Sequence, residues 1–133
     1  MRYVDVNVFV YWLGDDPVYG DQATEIISRI EKGEKAATSS LSLWLTSVVL
    51  GSLAEKYSEQ EFIERIKALG FLRVEPLLFD DYEKAMEYMK TYNLDLEDAL
   101  HLTTATRLGA KEIYSNDADF DKTPLKRTGF SID

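Results

Sequence analysis

Cysteine is absent from this 133-residue chain. That excludes a disulfide framework, a thiolate metal site and a cysteine nucleophile. Histidine is nearly absent: His101 stands alone, so there is no metal-binding histidine pair. Glycine-rich phosphate loops and dinucleotide fingerprints are missing as well. Long apolar runs are lacking too. The longest weakly polar stretch, Leu41 to Ala54, falls short of the ~20 residues a membrane helix needs and reads as a buried helix. The opening MRYVDVNVFVYWLG is apolar in cast, but Asp5 interrupts it and no small-residue cleavage pattern follows, so it does not read as a signal peptide. The expectation is a soluble, cytoplasmic protein with no membrane partner.

Positive charge is scarce. Against 24 Asp and Glu the chain carries 15 Lys and Arg, a net charge of −9. This argues against passive binding of nucleic acid through a basic surface. It is compatible with a nucleic-acid enzyme whose acids are neutralised by divalent metal, and equally with a basic protein partner. A hydrophobic content of 45% suits a single globular domain, residues 1–133, with a real core.

What the chain does contain is an alternation of strand and helix signals without repeats or linkers. Arg2 to Asp5 reads as a strand turning into a helix over Val6 to Leu13, and Gly14-Asp15-Asp16-Pro17 as a turn. Ala23, Ile26, Ile27 and Ile30 predict a helix over Gln22 to Lys32, capped by Asp21 and stopped by Gly33. Lys35 to Ser39 is a weak strand. The helix after it, Leu41 to Tyr57, carries Leu41, Leu45, Val48, Val49 and Leu53 on or near one face. Ser58 to Glu61 is a capping box whose helix ends at Gly70, and Phe71 to Leu77 is a third strand. Asp81 to Thr91 is helical, with Tyr82, Ala85, Met86 and Met89 as its buried face. Asp95 caps a helix from Leu96 to Leu108, Lys111 to Ser115 is a strand, and Gly129 to Ile132 a final one. Strands separated by helices predict an α/β fold with a mostly parallel sheet covered on both faces.

Such sheets bind ligands beyond the carboxyl ends of their strands. Asp5 closes the first strand there, Asp117 follows the fourth, and Asp98 lies in the first turn of the helix between them. The stretch from Asn93 to Asp121 holds seven acids against two bases. Three carboxylates from distant positions can thus converge, and hard cations such as Mg²⁺ or Mn²⁺ take oxygen ligands of this kind. Taken locally, each residue also has a plain reading. Asp98 serves as a helix-start acid, with Asp95 in a capping arrangement. Asp117 and Asp119 serve as turn formers. Asp5 resists such a reading, because an acid ending an apolar strand is partly buried and costly without a partner.

At these residues the chain resembles a known family. VDVNVFV, TSSLSLW, LDLEDALHLTTATRLGA and YSNDADFD are similar to the PIN-domain ribonucleases, and most of all to the small VapC-type toxins of toxin–antitoxin pairs. The resemblance runs over essentially the whole chain. It implies a PIN-like three-layer fold and a Mg²⁺- or Mn²⁺-dependent endoribonuclease. It also implies homodimerisation, and inhibition by a small antitoxin protein that often presents an Arg to the acidic site. By that resemblance Asp5, Asp98 and Asp117 are the catalytic metal ligands and Asp119 an accessory one. Asn7, Ser115 and Asn116 orient them. Lys122, Lys126 and Arg127, just past the acidic loop, are the candidate RNA phosphate contacts, with a solvated surface turn as their plain alternative.

One match fails. The family's glutamate in the helix after the second strand falls here on Leu45. Glu55 cannot replace it, because ten residues of helix span roughly 15 Å. Loss of a carboxylate lowers metal affinity and makes a second ion doubtful, unless an acid such as Glu97 compensates. Two readings therefore stand: an active nuclease, and a PIN module that has lost efficient catalysis and acts by binding RNA or protein. A Ser–His–Asp hydrolase lacks its Gly-x-Ser-x-Gly elbow, so His101 reads as a packed or capping residue. Asp5-Val6-Asn7 lacks the second aspartate of a haloacid-dehalogenase phosphatase. Trp12, Trp44 and the tyrosines can stack on bases, but for most of them apolar helical settings favour core packing.

Overall fold

The computed structural model describes residues 1–53 and 56–131. A five-stranded sheet in the order β3-β2-β1-β4-β5 forms its centre, with every adjacent pair parallel. The strands are β1 (Arg2–Val4), β2 (Ala36–Ser39), β3 (Leu72–Glu75), β4 (Glu112–Tyr114) and β5 (Lys126–Thr128). Between them run α1 (Val6–Leu13), α2 (Gly20–Glu31), α3 (Ser40–Leu53), α4 (Glu59–Ala68), α5 (Phe79–Tyr92) and α6 (Leu96–Arg107), and a short 3₁₀ turn, Ala118–Lys122, precedes β5.

Strand alternation sorts the core into two layers. Val4, Ala36 and Tyr114 meet Phe9 of α1, Ile26, Ile27 and Ile30 of α2, and Phe62 of α4. Tyr3 and Ile113, pointing the other way, meet Ala85 of α5 and Leu100 and Leu102 of α6. Helices thus cover both faces of a parallel sheet, the three-layer α/β architecture expected from the sequence. The chain leaves β1 toward β2 on one side and toward β4 on the other, which opens a crevice at the carboxyl end of β1. The backbone N–H of Asp5 donates to the Tyr114 carbonyl (3.0 Å) and pins the start of α1 to that crevice.

Several sequence expectations need correction. The last strand is Lys126–Thr128, earlier than Gly129 to Ile132; Gly129 has a φ of +96° and ends it, and Ile132 lies outside the described residues. Asp21 does not cap α2. The helix begins at Gly20 with Tyr19 as its cap residue, and Asp16 accepts the backbone N–H groups of Val18 and Tyr19 instead.

On α5, Tyr82 and Met86 are exposed, whereas Asp81 and Ala85 are buried and Tyr88, Met89 and Tyr92 pack inward. The inward face is turned by about one residue because its first member is an aspartate. Arg107 of α6 holds Asp81 there through Nε (3.0 Å) and a terminal nitrogen (2.9 Å). A similar rotation affects α3, which buries Ser42, Thr46 and Leu50. The Thr46 hydroxyl donates to the Ser42 carbonyl (2.7 Å), so these polar residues go inward satisfied. Val48 and Leu53 are left exposed. The helix ends before Tyr57, and Ala54 and Glu55 lie outside the described residues. Among the described residues no helix is long and apolar enough to cross a membrane.

Candidate metal centre

Three carboxylates meet at the carboxyl end of the sheet, beside the β1–β4 crevice. Asp98, Asp117 and Asp119 each place an oxygen within 4.8 Å of the other two. Local rules put them there. Asp95 caps α6 and takes the backbone N–H of Asp98 (2.8 Å), which leaves the Asp98 carboxylate facing the loop after β4. In that loop Asp117 takes the Asp119 N–H on its own Oδ1 (2.9 Å) and so draws the two acids together. The donor set is all oxygen and fits a hard divalent cation such as Mg²⁺ or Mn²⁺.

Electrostatics support the fit. Asp98 is 3% exposed, and its pKa is pushed up to about 8, first by burial and then by Asp117, Asp95, Asp5 and Glu97. Burial, followed by Asp5, Asp95 and Asp117, raises Glu97 as well. So many acids repelling one another form a field that a bound cation relieves.

Asp5 stands beside this trio, outside its 4.8 Å group. It is 5% exposed and its oxygens are committed. Oδ1 accepts the Val6 N–H (2.7 Å), as the cap of α1. Oδ2 accepts the Ser115 hydroxyl (2.7 Å) and the Asn7 amide (3.3 Å). Ser115 is a hub, since its oxygen also accepts the Asp117 N–H (2.9 Å). Asn7 Oδ1 in turn accepts the Asn116 N–H (3.4 Å), and the Asn116 amide donates to the Tyr11 hydroxyl (3.2 Å). Asn7, Ser115 and Asn116 therefore tie the first strand's aspartate to the loop that carries Asp117 and Asp119.

The basic candidates part company. Lys122 lies 3.1 Å from Asp119, on the rim of the cluster. Arg127 is engaged by Asp121 at 3.0 Å. Lys126 pairs in register with Glu112 at the amino end of the strands, the edge away from the carboxylates. Leu45 is half-buried on α3 and offers no oxygen.

His101, one turn beyond Asp98, is packed rather than capping. It is fully buried, with Nδ1 2.6 Å from the Tyr3 hydroxyl and Nε2 3.6 Å from Asp5 Oδ1. That ion-pair distance suggests a charged ring, yet burial lowers the pKa and outweighs Asp5, Asp95 and Asp117, which pull it upward. That balance favours the neutral ring. The sequence carried one signal for this contact: Tyr3 and Asp5 are two apart on an extended segment and share a face.

The chain matches the family model described as PIN domain over residues 2–126. It belongs to the PIN-domain family. Solved structures with a similar fold include VapC20 of Mycobacterium tuberculosis, a Sarcin–Ricin loop cleaving toxin. It is 18% identical over 91% of this chain and 93% of its own, with a TM-score of 0.75. A toxin–antitoxin complex from Klebsiella pneumoniae matches at 20% identity over 99% of this PIN chain and 100% of the other, also with a TM-score of 0.75. VapBC2 of Rickettsia felis, bound to a DNA fragment from its promoter, matches at 18% identity, covering 96% and 98%, with a TM-score of 0.69. A comparison with curated proteins gives no match.

Proposed function

We propose that this PIN-domain chain, folded as one domain over residues 1–133, is a metal-dependent endoribonuclease acting as the cytoplasmic toxin of a toxin–antitoxin pair. The observation that carries the reading is the trio Asp98, Asp117 and Asp119, in which a buried Asp98 stands among further acids and Lys122 lies on the rim beside Asp119. Those three carboxylates, with Asp5 beside them, would hold Mg²⁺ or Mn²⁺. Such an ion supplies a water of lowered pKa and charge to stabilise an in-line displacement at phosphorus.

The protein's own residues do the rest. Asn7 and Ser115 fix the Asp5 carboxylate, and the Asp117 N–H on Ser115 fixes the loop, so the acids keep their spacing when RNA arrives. Lys122, freed from Asp119 once a cation neutralises it, takes a backbone phosphate. Arg127 and Lys126 are weaker contacts by their placement. Asp98 carries its negative charge at neutral pH only with a cation beside it, which couples metal binding to assembly of the site.

Partners follow from the outward face of α3 and α4. Leu43, Trp44, Val48 and Ile63, with Ser47 and Glu59, line a groove of about 510 Å³, and Trp44 is 67% exposed. An apolar patch of that kind marks a protein interface. We assign it to the antitoxin, whose basic residues complement the acidic site, with the toxin itself a homodimer. A second reading, a PIN module that binds without cutting, rests on Leu45 standing where an acid is expected.

Cleavage of RNA by the purified protein in Mn²⁺ or Mg²⁺, beside EDTA, Asp98→Asn and Leu45→Glu, tests both. The nuclease reading expects metal-dependent cleavage that Asp98→Asn abolishes. Activity in Leu45→Glu alone would establish the binding module, and inert protein throughout with no bound metal would end the acidic-site reading.

A further inference from the structure

Tyr3, His101 and Asp5 form a line beneath the acidic site. Tyr3 and Asp5 project from the same face of the β1 segment, and α6 lays His101 between them one turn after Asp98. His101 Nε2 is a fully buried polar atom without a hydrogen-bond partner among the described residues, aimed at Asp5 Oδ1 from 3.6 Å. Its other nitrogen, Nδ1, makes a 2.6 Å contact with the Tyr3 hydroxyl. A neutral imidazole has one N–H, and the two placements are not equivalent. With the proton on Nδ1, the Nε2 lone pair would face a carboxylate. With the proton on Nε2, that N–H points at Asp5 while the Tyr3 hydroxyl donates to Nδ1. Ser42 and Thr38 act on the Tyr3 hydroxyl from α3 and β2, and a phenol O–H is a ready donor to an unprotonated imidazole nitrogen.

We propose that His101 is a positioning residue for Asp5, a donor from Nε2 whose tautomer is set by the Tyr3 hydroxyl. From 3.6 Å its N–H adds an electrostatic contact to the three hydrogen bonds already on that carboxylate from Val6, Asn7 and Ser115. Asp5 is thereby locked in one rotamer facing the Asp98 cluster. The consequence for metal binding rests on the nuclease reading; the tautomer does not.

His101 is the only histidine, so long-range ¹H–¹⁵N spectra of the metal-free protein show its ring nitrogens without overlap. The expected result is a protonated Nε2 and an unprotonated Nδ1 in the native chain, and a mixture of tautomers in Tyr3→Phe. A proton on Nδ1, or native spectra in Tyr3→Phe, overturns the proposal. In Mn²⁺ titrations, His101→Phe should bind roughly 10- to 100-fold more weakly, the range for an outer partner of a metal ligand. His101→Gln, whose amide sits near the Nε2 position, should recover most of it. A folded His101→Phe with native Mn²⁺ affinity, or a His101→Gln no better than it, also overturns the proposal. Should the native protein bind no Mn²⁺ and cut no RNA, the nuclease reading falls while the spectra still decide the role of His101.

Discussion

Two aspartates on neighbouring helices are buried to nearly the same degree, Asp81 at 2% exposure and Asp98 at 3%, and their surroundings are opposite. Arg107 grips Asp81 with two nitrogens and spans to Glu75 at 2.6 Å. Asp81 also accepts the Leu78 N–H (2.9 Å) at the start of α5. Every charge there has its counter-charge within the chain, so the cluster fastens α6 to α5 and to the end of β3. The charged groups that act most on Asp98 are all acids, Asp117, Asp95, Asp5 and Glu97. A buried charge paired from within holds a fold together; a buried charge left for an outside cation marks a site.

The sharpest way to break that contrast is to neutralise each aspartate in turn. Asp98→Asn should lower RNA cleavage by more than the roughly 100-fold typical of outer partners of a metal ligand. The same change should leave the metal-free protein at least as stable, because the amide stands in for a carboxyl that burial and neighbouring acids keep from ionising. Arg107→Met should do the reverse. It strands Asp81 and costs about 2–3 kcal/mol, less than the roughly 3–5 kcal/mol of a fully buried pair because the Arg107 side chain is partly exposed. Cleavage per folded molecule should persist. Urea melts and RNA digestion on both variants check the pair, and a destabilised Asp98→Asn beside an unaffected Arg107→Met would invert the assignment.

The contrast also has a pH signature. Asp98 keeps its proton in the folded, metal-free protein up to about pH 8, whereas an unfolded aspartate loses it near pH ~4. Between those values the folded state binds more protons, so stability should fall as pH rises and level off above 8. Mn²⁺ or Mg²⁺ should therefore raise the melting temperature more at pH 8 than at pH 5.5. Asp98→Asn should remove that part of the slope. Thermal melts across pH, with and without metal, would expose a flat native profile if Asp98 were paired after all.

The same contrast explains what the sequence disclosed. Asp5, Asp98 and Asp117 were legible as a converging set because strand ends and a helix start are local signals, and the sheet rule brings them to one edge. Apolar spacing points to Tyr82 and Met86 on α5 because it cannot show that Asp81 goes inward with an arginine 26 positions away. On α3 the inward residues are Ser42, Thr46 and Leu50, two of them polar, so hydrophobic pattern pointed at the wrong face. That Asp119 rather than Asp5 joins Asp98 and Asp117 within 4.8 Å is likewise hidden from the sequence. It depends on Ser115 and Asn7 occupying Asp5, a contact 110 residues apart for Ser115. Periodicity reports which residues are apolar, and long-range pairing decides which polar ones join them.

The smallest effect separates the rim from the centre. Lys122 touches Asp119 and also donates to the Asn93 carbonyl at 3.1 Å, while remaining exposed. An exposed ion pair is worth little to stability, so Lys122→Ala should leave the melting temperature nearly unchanged. If it contacts one RNA phosphate, binding should weaken similarly across sequences, and the slope of log affinity against log salt should fall by about 1. Lys126→Ala, at the opposite edge of the sheet, should leave that slope alone. Equal slopes in the two variants would remove Lys122 from the substrate path and leave its partnership with Asp119 as its whole role.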